Sequence, residues 1–154
     1  MAYSINLRAF LDTLAWSEGT DNNTQFTYNK GYDVMVGQKL LFHSYRDHPR
    51  TIIPLSATLS SSAAGRYQIL QKTYDDYKVK TGVKDFSPAS QDAIAVRLIK
   101  DRKALEDVEA GRFEEAVKKC NTIWASLPGS PYGQRTHQME PLKAIFMTRQ
   151  IAYK

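Results

Sequence analysis

Leu7, Leu11 and Leu14 step along the chain by four and three residues, and Glu18 follows four later. This spacing places all four on one face of a helix. It predicts a helix over residues 5–18, capped by Ser4 or Asn6. Gly19 ends it, because glycine takes the left-handed conformation at a helix terminus without steric cost. Residues 20–30 are polar, rich in Asn and Thr, and read as loop. Tyr32, Val34 and Val36 then alternate with Asp33 and Met35, which predicts a short strand running into Gly37-Gln38-Lys39. Leu40-Leu41-Phe42 is its expected partner, and alternation sets Asp33 on the face opposite Tyr32 and Val34. Residues 43–62 show no period but carry an apolar Ile52-Ile53-Pro54-Leu55. A loop of that length in a compact domain is functional or mobile, and its apolar tip reads as a flap over a groove.

From Ala63 the pattern turns helical, through Leu70, Tyr74 and Tyr77 to a stop at Gly82. Ser87-Pro88 supplies the cap and first position of the next helix, whose apolar face is Ile94, Leu98 and Ile99. A shorter segment around Leu105 and Val108 ends at Gly111. Phe113, Ala116, Val117, Cys120, Ile123 and Trp124 make the most regular stripe of the chain and read as core. Ser126 to Gln134 holds two prolines and two glycines, so it is a second long loop. Leu142, Ile145 and Phe146 mark a closing helix. The whole predicts one α+β domain over residues 1–154: a helical lobe, a small antiparallel sheet inserted after the first helix, and a groove where the two meet.

Composition changes this picture little. With 154 residues, 42% hydrophobic and 24% charged, the chain can bury a real core. Its net charge of +5 attracts polyanions such as nucleic acid, acidic membrane surfaces or an anionic wall polymer. The basic residues are scattered, so an ordinary basic surface explains the charge equally well. Nine tyrosines could stack on bases, yet several fall on core stripes, and no nucleic-acid partner is expected. One cysteine, Cys120, excludes an internal disulfide and sits on the core stripe as a packed thiol. The N-terminal residues lack an export signal, and no apolar run approaches the roughly 18 residues of a membrane span. A protein with no stable membrane insertion is expected.

The candidate chemistry centres on Glu18. At the end of a buried stripe it is partly desolvated and faces the negative end of the helix dipole, and both effects raise a carboxyl pKa. A carboxyl that holds its proton near neutral pH is what a general acid needs. A helix-end glutamate reaching into solvent fits the same spacing. Glycoside hydrolysis usually needs a second carboxylate, and Asp21, Asp33 and Asp47 are the options, with Asp33 best placed. None stands in a recognisable pairing with Glu18. No Gly-x-Ser-x-Gly turn or phosphate-binding glycine loop is present. His43 and His48 lack a third ligand at metal spacing, so no metal and no cofactor are assigned.

Six blocks then settle the reading: Ala15-Trp16-Ser17-Glu18-Gly19-Thr20, Gly31-Tyr32-Asp33-Val34, Asp47-His48-Pro49-Arg50, Gly65-Arg66-Tyr67-Gln68, Lys84-Asp85-Phe86-Ser87-Pro88 and Ile123-Trp124-Ala125-Ser126-Leu127-Pro128-Gly129. In this order they resemble the phage lambda lysozyme family, the endolysins of lambdoid phages, from about residue 7 to the loop near Gln134. The resemblance implies a lysozyme-like fold and a lytic transglycosylase. Such an enzyme cleaves the β-1,4 bond between N-acetylmuramic acid and N-acetylglucosamine in peptidoglycan and leaves a 1,6-anhydromuramic acid end. It implies that Glu18 is the single catalytic acid and base. Gln68, in the turn after Gly-Arg-Tyr, is implied to bind the glycan near Glu18; Asp33 and Tyr132 are implied to contact sugars. Trp16 and Trp124 are assigned to the core. The loops at 43–62 and 126–137 correspond to two mobile lips.

The same resemblance implies peptidoglycan strands as substrate and a phage holin as the partner that gives access to the wall. It implies residence in the host cytoplasm until release, then action in the periplasm, by a monomer encoded by a phage or prophage. Two rivals remain: a hydrolytic lysozyme that uses Asp33 or another carboxylate to activate water, and a wall-binding protein without turnover.

Overall fold

A computed structural model describes residues 3–37, 40–132 and 136–154 of the chain. They form two compact units, residues 1–17 with 98–154 and residues 18–97. Six helices and one two-stranded antiparallel sheet are present among the described residues.

In the first unit, helix α1 (Ile5–Glu18) has the predicted bounds, and only its last residue belongs to the second unit. Ser4 is the cap: its hydroxyl accepts the Leu7 amide at 3.1 Å and its carbonyl accepts the Arg8 amide at 2.9 Å. Asn6 instead donates to the Glu109 carbonyl at 2.9 Å. Leu7, Leu11 and Leu14 are buried, as their spacing requires. The Phe10 ring meets Phe113 and Phe146 edge-on at 5.9 and 6.5 Å, and those two stack at 4.9 Å. Each such ring, once buried, contributes roughly 1.5–3 kcal/mol. The ring trio joins α1 to α5 (Phe113–Cys120) and α6 (Met139–Ala152), while α4 (Leu105–Glu109) packs beside α5. Helix α5 is shorter than its stripe. It ends at Cys120, and a turn in which the Trp124 amide donates to the Cys120 carbonyl at 3.1 Å carries Trp124 inward. Trp124 is therefore core, whereas Trp16 is half-buried. Gln134, at the end of the second predicted loop, lies outside the described residues.

The second unit departs more from the sequence pattern. Val34, Met35 and Val36 are flanked on both sides: Val34 bridges Leu41, and Met35 bridges Ala64. The ladder is short because Gly31 and Gly37 both have positive φ, +88° and +92°, and turn the chain at either end. Asp33 lies in the turn before the bridges, buried with Val34 and Met35 rather than on an opposite face. The regular strands are β1 (Ile53–Pro54) and β2 (Ser60–Ser61), inside the stretch that shows no period. Two-residue strands are too short to show alternation, and their hairpin is set by turn bonds from Leu55 and Ser56 amides to the Leu59 carbonyl.

Residues 63–70 are not helical. Gly65 (φ +82°) and Gln68 (φ +51°) close a tight turn between Ala64 and Ile69, which exchange amide-to-carbonyl bonds of 3.1 and 2.9 Å. Helix α2 (Gln71–Thr81) begins only afterwards, with Tyr74 buried and Leu70 exposed, and Gly82 ends it at φ +76°. Helix α3 (Pro88–Asp101) is capped by Ser87, whose hydroxyl accepts the Ser90 amide at 3.3 Å. His48, Tyr74 and Phe86 pack ring on ring, with centroids 5.0 to 5.8 Å apart. Among the described residues no helix is long and apolar enough to cross a membrane.

Candidate active site

Glu18 is the last residue of α1 and is half-buried. Gly19 follows at φ +79°, the left-handed conformation that ends the helix and turns the chain away. Its carbonyl accepts the Gln25 side-chain amide at 2.7 Å, which folds the polar 20–30 loop back toward the helix end. Thr20 is buried, and its hydroxyl donates to the Arg66 carbonyl at 2.6 Å. This bond links the residues that follow Glu18 to the turn that bears Gln68.

Gln68 holds its left-handed backbone in that turn, and its side-chain amide donates to the Gly65 carbonyl at 2.9 Å. The turn rests on Gln91, which is fully buried and accepts the Arg66 amide at 2.9 Å. Gln91 also donates to the carbonyls of Phe86 at 2.9 Å and Tyr32 at 3.1 Å. Beside it the Tyr32 and Tyr67 hydroxyls converge on Asp92 Oδ1 at 2.8 and 2.6 Å. Burial first, and the Asp92 carboxylate second, push both phenols well above their usual range, so both remain donors.

Asp33 is committed to its own loop. It is 5% exposed, and its carboxylate accepts the Thr27 hydroxyl and, at 3.0 Å, the Tyr28 amide. Thr27 in turn accepts the Asn29 and Gly31 amides, so Asp33 anchors the 27–31 turn. Asp21 pairs with Arg66 at 2.7 Å, and Asp47 pairs with Arg50 at 2.7 Å. Arg50 holds the Asp47 carboxyl below the usual carboxylate range through its hydrogen bond. Tyr132 belongs to the other unit. Its ring is 55% exposed, and its hydroxyl donates to the Thr122 carbonyl at 2.8 Å. Glu18, Asp33 and Gln68 thus share one unit, and Tyr132 stands in the other.

The sequence reading passes over two groups. One is Thr20 with Arg66, whose roles depend on contacts across 46 positions. The other is His137, whose ring lies 5.0 Å from Trp16 and whose Nε2–H donates to the Ser17 carbonyl at 2.9 Å. The Ser17 and Ser126 hydroxyls meet at 2.7 Å, and the His137 amide donates to the Ser126 carbonyl at 3.0 Å. The loop from Ser126 is therefore tied to the residue just before Glu18. No local spacing signals His137. Among the described residues no group of three or more His, Cys, Asp or Glu could hold a metal ion.

A short helix-end carboxylate, a small sheet after the first helix and a helical remainder define a lysozyme-like α+β protein. Residues 8–151 match the family model described as Endolysin. The endolysin of Escherichia phage lambda is 52% identical over 139 residues, covering 90% of this chain and 87% of that protein. The endolysin of Escherichia phage P2 is 45% identical over 152 residues, covering 93% and 92%. The structure of bacteriophage lambda lysozyme complexed with a chitohexasaccharide superposes with a TM-score of 0.93 at 49% identity, covering 97% of this chain and 96% of that one. The chain belongs to the endolysin family, the phage enzymes that degrade the bacterial cell wall.

Proposed function

We propose that this endolysin is a lytic transglycosylase that cuts peptidoglycan between N-acetylmuramic acid and N-acetylglucosamine. The observation that carries the reading is the state of the alternative carboxylates. Asp33 is buried and engaged within its loop, Asp21 is bound to Arg66, and Asp47 is bound to Arg50. Each of the three has a structural partner of its own, which supports a reading in which Glu18 is the one carboxyl for the chemistry. Transglycosylation needs no other.

Protonated Glu18 donates to the glycosidic oxygen as the C1–O bond breaks, and the sugar gains oxocarbenium character, with its own N-acetyl oxygen able to stabilise the charge. Glu18, now a carboxylate, takes the proton of the C6 hydroxyl while that oxygen closes on C1. The products are a free 4-hydroxyl and a 1,6-anhydro end, and no water is consumed. Because the attacking hydroxyl is tethered to the reacting sugar, little translational entropy is lost.

In this reading Gln68 binds the glycan beside Glu18 and the exposed Tyr132 ring packs on a sugar. Asp33 serves binding through the turn that it holds rather than through a free carboxylate. The chitohexasaccharide bound by the lambda enzyme supports a glycan chain as ligand. The chain acts as a single monomeric catalytic domain, held in the host cytoplasm until a holin opens the membrane and the periplasm is reached.

Mass spectrometry of muropeptides from digested sacculi, with and without borohydride, tests the proposal. Non-reducible ends one water lighter than the hydrolysis product are expected. Reducible muramic acid ends would establish a hydrolase instead, and uncut sacculi a wall-binding protein.

A further inference from the structure

Glu18 is the last residue of α1, and the chain that leaves it is caught two residues later. The catch is Thr20. It is 1% exposed, and its hydroxyl is bonded to the Arg66 carbonyl at 2.6 Å. Gly31 lies directly against it from the other side: a Cβ there would come 2.7 Å from the Thr20 carbonyl oxygen. Arg66 then closes the clamp. Its guanidinium, 3% exposed as a residue, donates from Nη1 to Asp21 at 2.7 Å and to the Lys30 carbonyl at 2.6 Å. It lies over the Tyr32 ring at 5.3 Å and the Tyr67 ring at 5.8 Å, which Asp92 fixes from behind.

One residue therefore grips both sides of the site. The Arg66 carbonyl and guanidinium hold residues 20, 21 and 30, and its backbone is part of the turn that carries Gln68. A buried guanidinium paired with a part-exposed carboxylate returns little net stability, so its place here is better accounted for by the register that it enforces. A lysine would bring the same charge but not the planar guanidinium that lies over the Tyr32 and Tyr67 rings.

We propose that Thr20 and Arg66 are positioning residues that fix the carboxyl of Glu18 relative to Gln68, acting on turnover without touching the substrate. The proposal rests on Glu18 being the catalytic acid and base. It predicts that Thr20→Val lowers kcat on soluble, uncross-linked peptidoglycan strands roughly 10- to 100-fold, the scale on which a displacement of about 1 Å costs rate. KM and the Kd for chitohexaose stay within about twofold, and the alkaline limb of the kcat/KM profile against pH, where Glu18 loses the proton that it must donate, moves with the displaced carboxyl. Thr20→Ser, which keeps the hydroxyl, restores kcat to within about threefold of the parent.

Thermal unfolding of each variant, with assays well below its midpoint, separates turnover from folding. Should Thr20→Val not fold, Arg66→Lys carries the same test, with kcat about 10-fold down and chitohexaose affinity retained. A folded variant with unchanged kcat, or one whose loss falls on Kd and KM instead, overturns the positioning role. Glu18→Gln runs alongside: its activity should vanish with the fold intact. If Glu18→Gln keeps more than a few per cent of activity, the catalytic assignment itself is wrong, whatever Thr20 does.

Discussion

Gly65 and Gln91 fit together with no room for a methyl group. A Cβ on Gly65 would come 2.8 Å from the Gln91 side-chain carbonyl carbon and 3.1 Å from the Phe86 ring. Gly65 also sits at φ +82°, so a side chain there is strained by the backbone as well. Gly65→Ala should cost about 2–4 kcal/mol, combining the left-handed penalty with displacement of a buried, fully bonded glutamine. Denaturant unfolding measures it. In a double-mutant cycle, Gly65→Ala with Gln91→Ala should be less costly than the sum of the singles, because the clash disappears with the glutamine.

Asp33 separates the transglycosylase reading from the hydrolytic one. Asp33→Asn removes one acceptor from the turn that Thr27 and Tyr28 make and should cost about 1–2 kcal/mol of stability. Once folded, the variant should keep at least about a tenth of the parent turnover. A general base would lose far more, on the order of 100-fold or beyond. Steady-state rates, measured where the variant is fully folded, decide between the two.

His48 gives the fold a pH dependence of calculable sign. Its Nε2–H donates to the Ile69 carbonyl at 2.8 Å, its Nδ1 accepts the Arg50 amide at 3.0 Å, and burial pushes its pKa below the usual 6.5. Asp47 and Asp75 favour its charged form, but burial outweighs them. The unfolded chain therefore takes up a proton near pH 6.5 that the folded chain refuses, so stability is full above that pH and falls as the pH drops below it. The slope approaches about 1.4 kcal/mol per pH unit. Asp47 and Asp75, held low by Arg50, add their loss only below about pH 3.8. Urea unfolding between pH 7.5 and 5 should show the decline, and His48→Gln should flatten it.

Tyr132 offers an exposed ring held at its hydroxyl end by Thr122. Tyr132→Ala should raise KM roughly five- to tenfold, the equivalent of about 1–1.4 kcal/mol of ring contact, with kcat within twofold. An unchanged KM would place this tyrosine outside the glycan's path. Tyr132→Phe should retain most of the binding, since the hydroxyl faces the protein.

Much of this protein was legible along the chain. The α1 bounds follow from Leu7, Leu11, Leu14 and Gly19, and the α3 start from Ser87-Pro88, because amphipathic spacing and caps are local properties. The conspicuous blocks around Glu18 and Gln68 identified the family, which the comparisons bear out. Local pattern misled at residues 63–70, where helix-like spacing meets Gly65 and Gln68 in left-handed conformations. That turn exists because Ala64 bridges both Met35 and Ile69. It also misled at Asp33, since strand alternation predicts a face but not that Thr27 and Tyr28 close over the carboxylate. What only the tertiary structure decided is the long-range wiring: Thr20 on Arg66, Gln91 under Gly65, His137 against Ser17. A hydrogen bond or a steric fit between residues distant in sequence leaves no period to read, so it becomes visible only when folding brings the partners together.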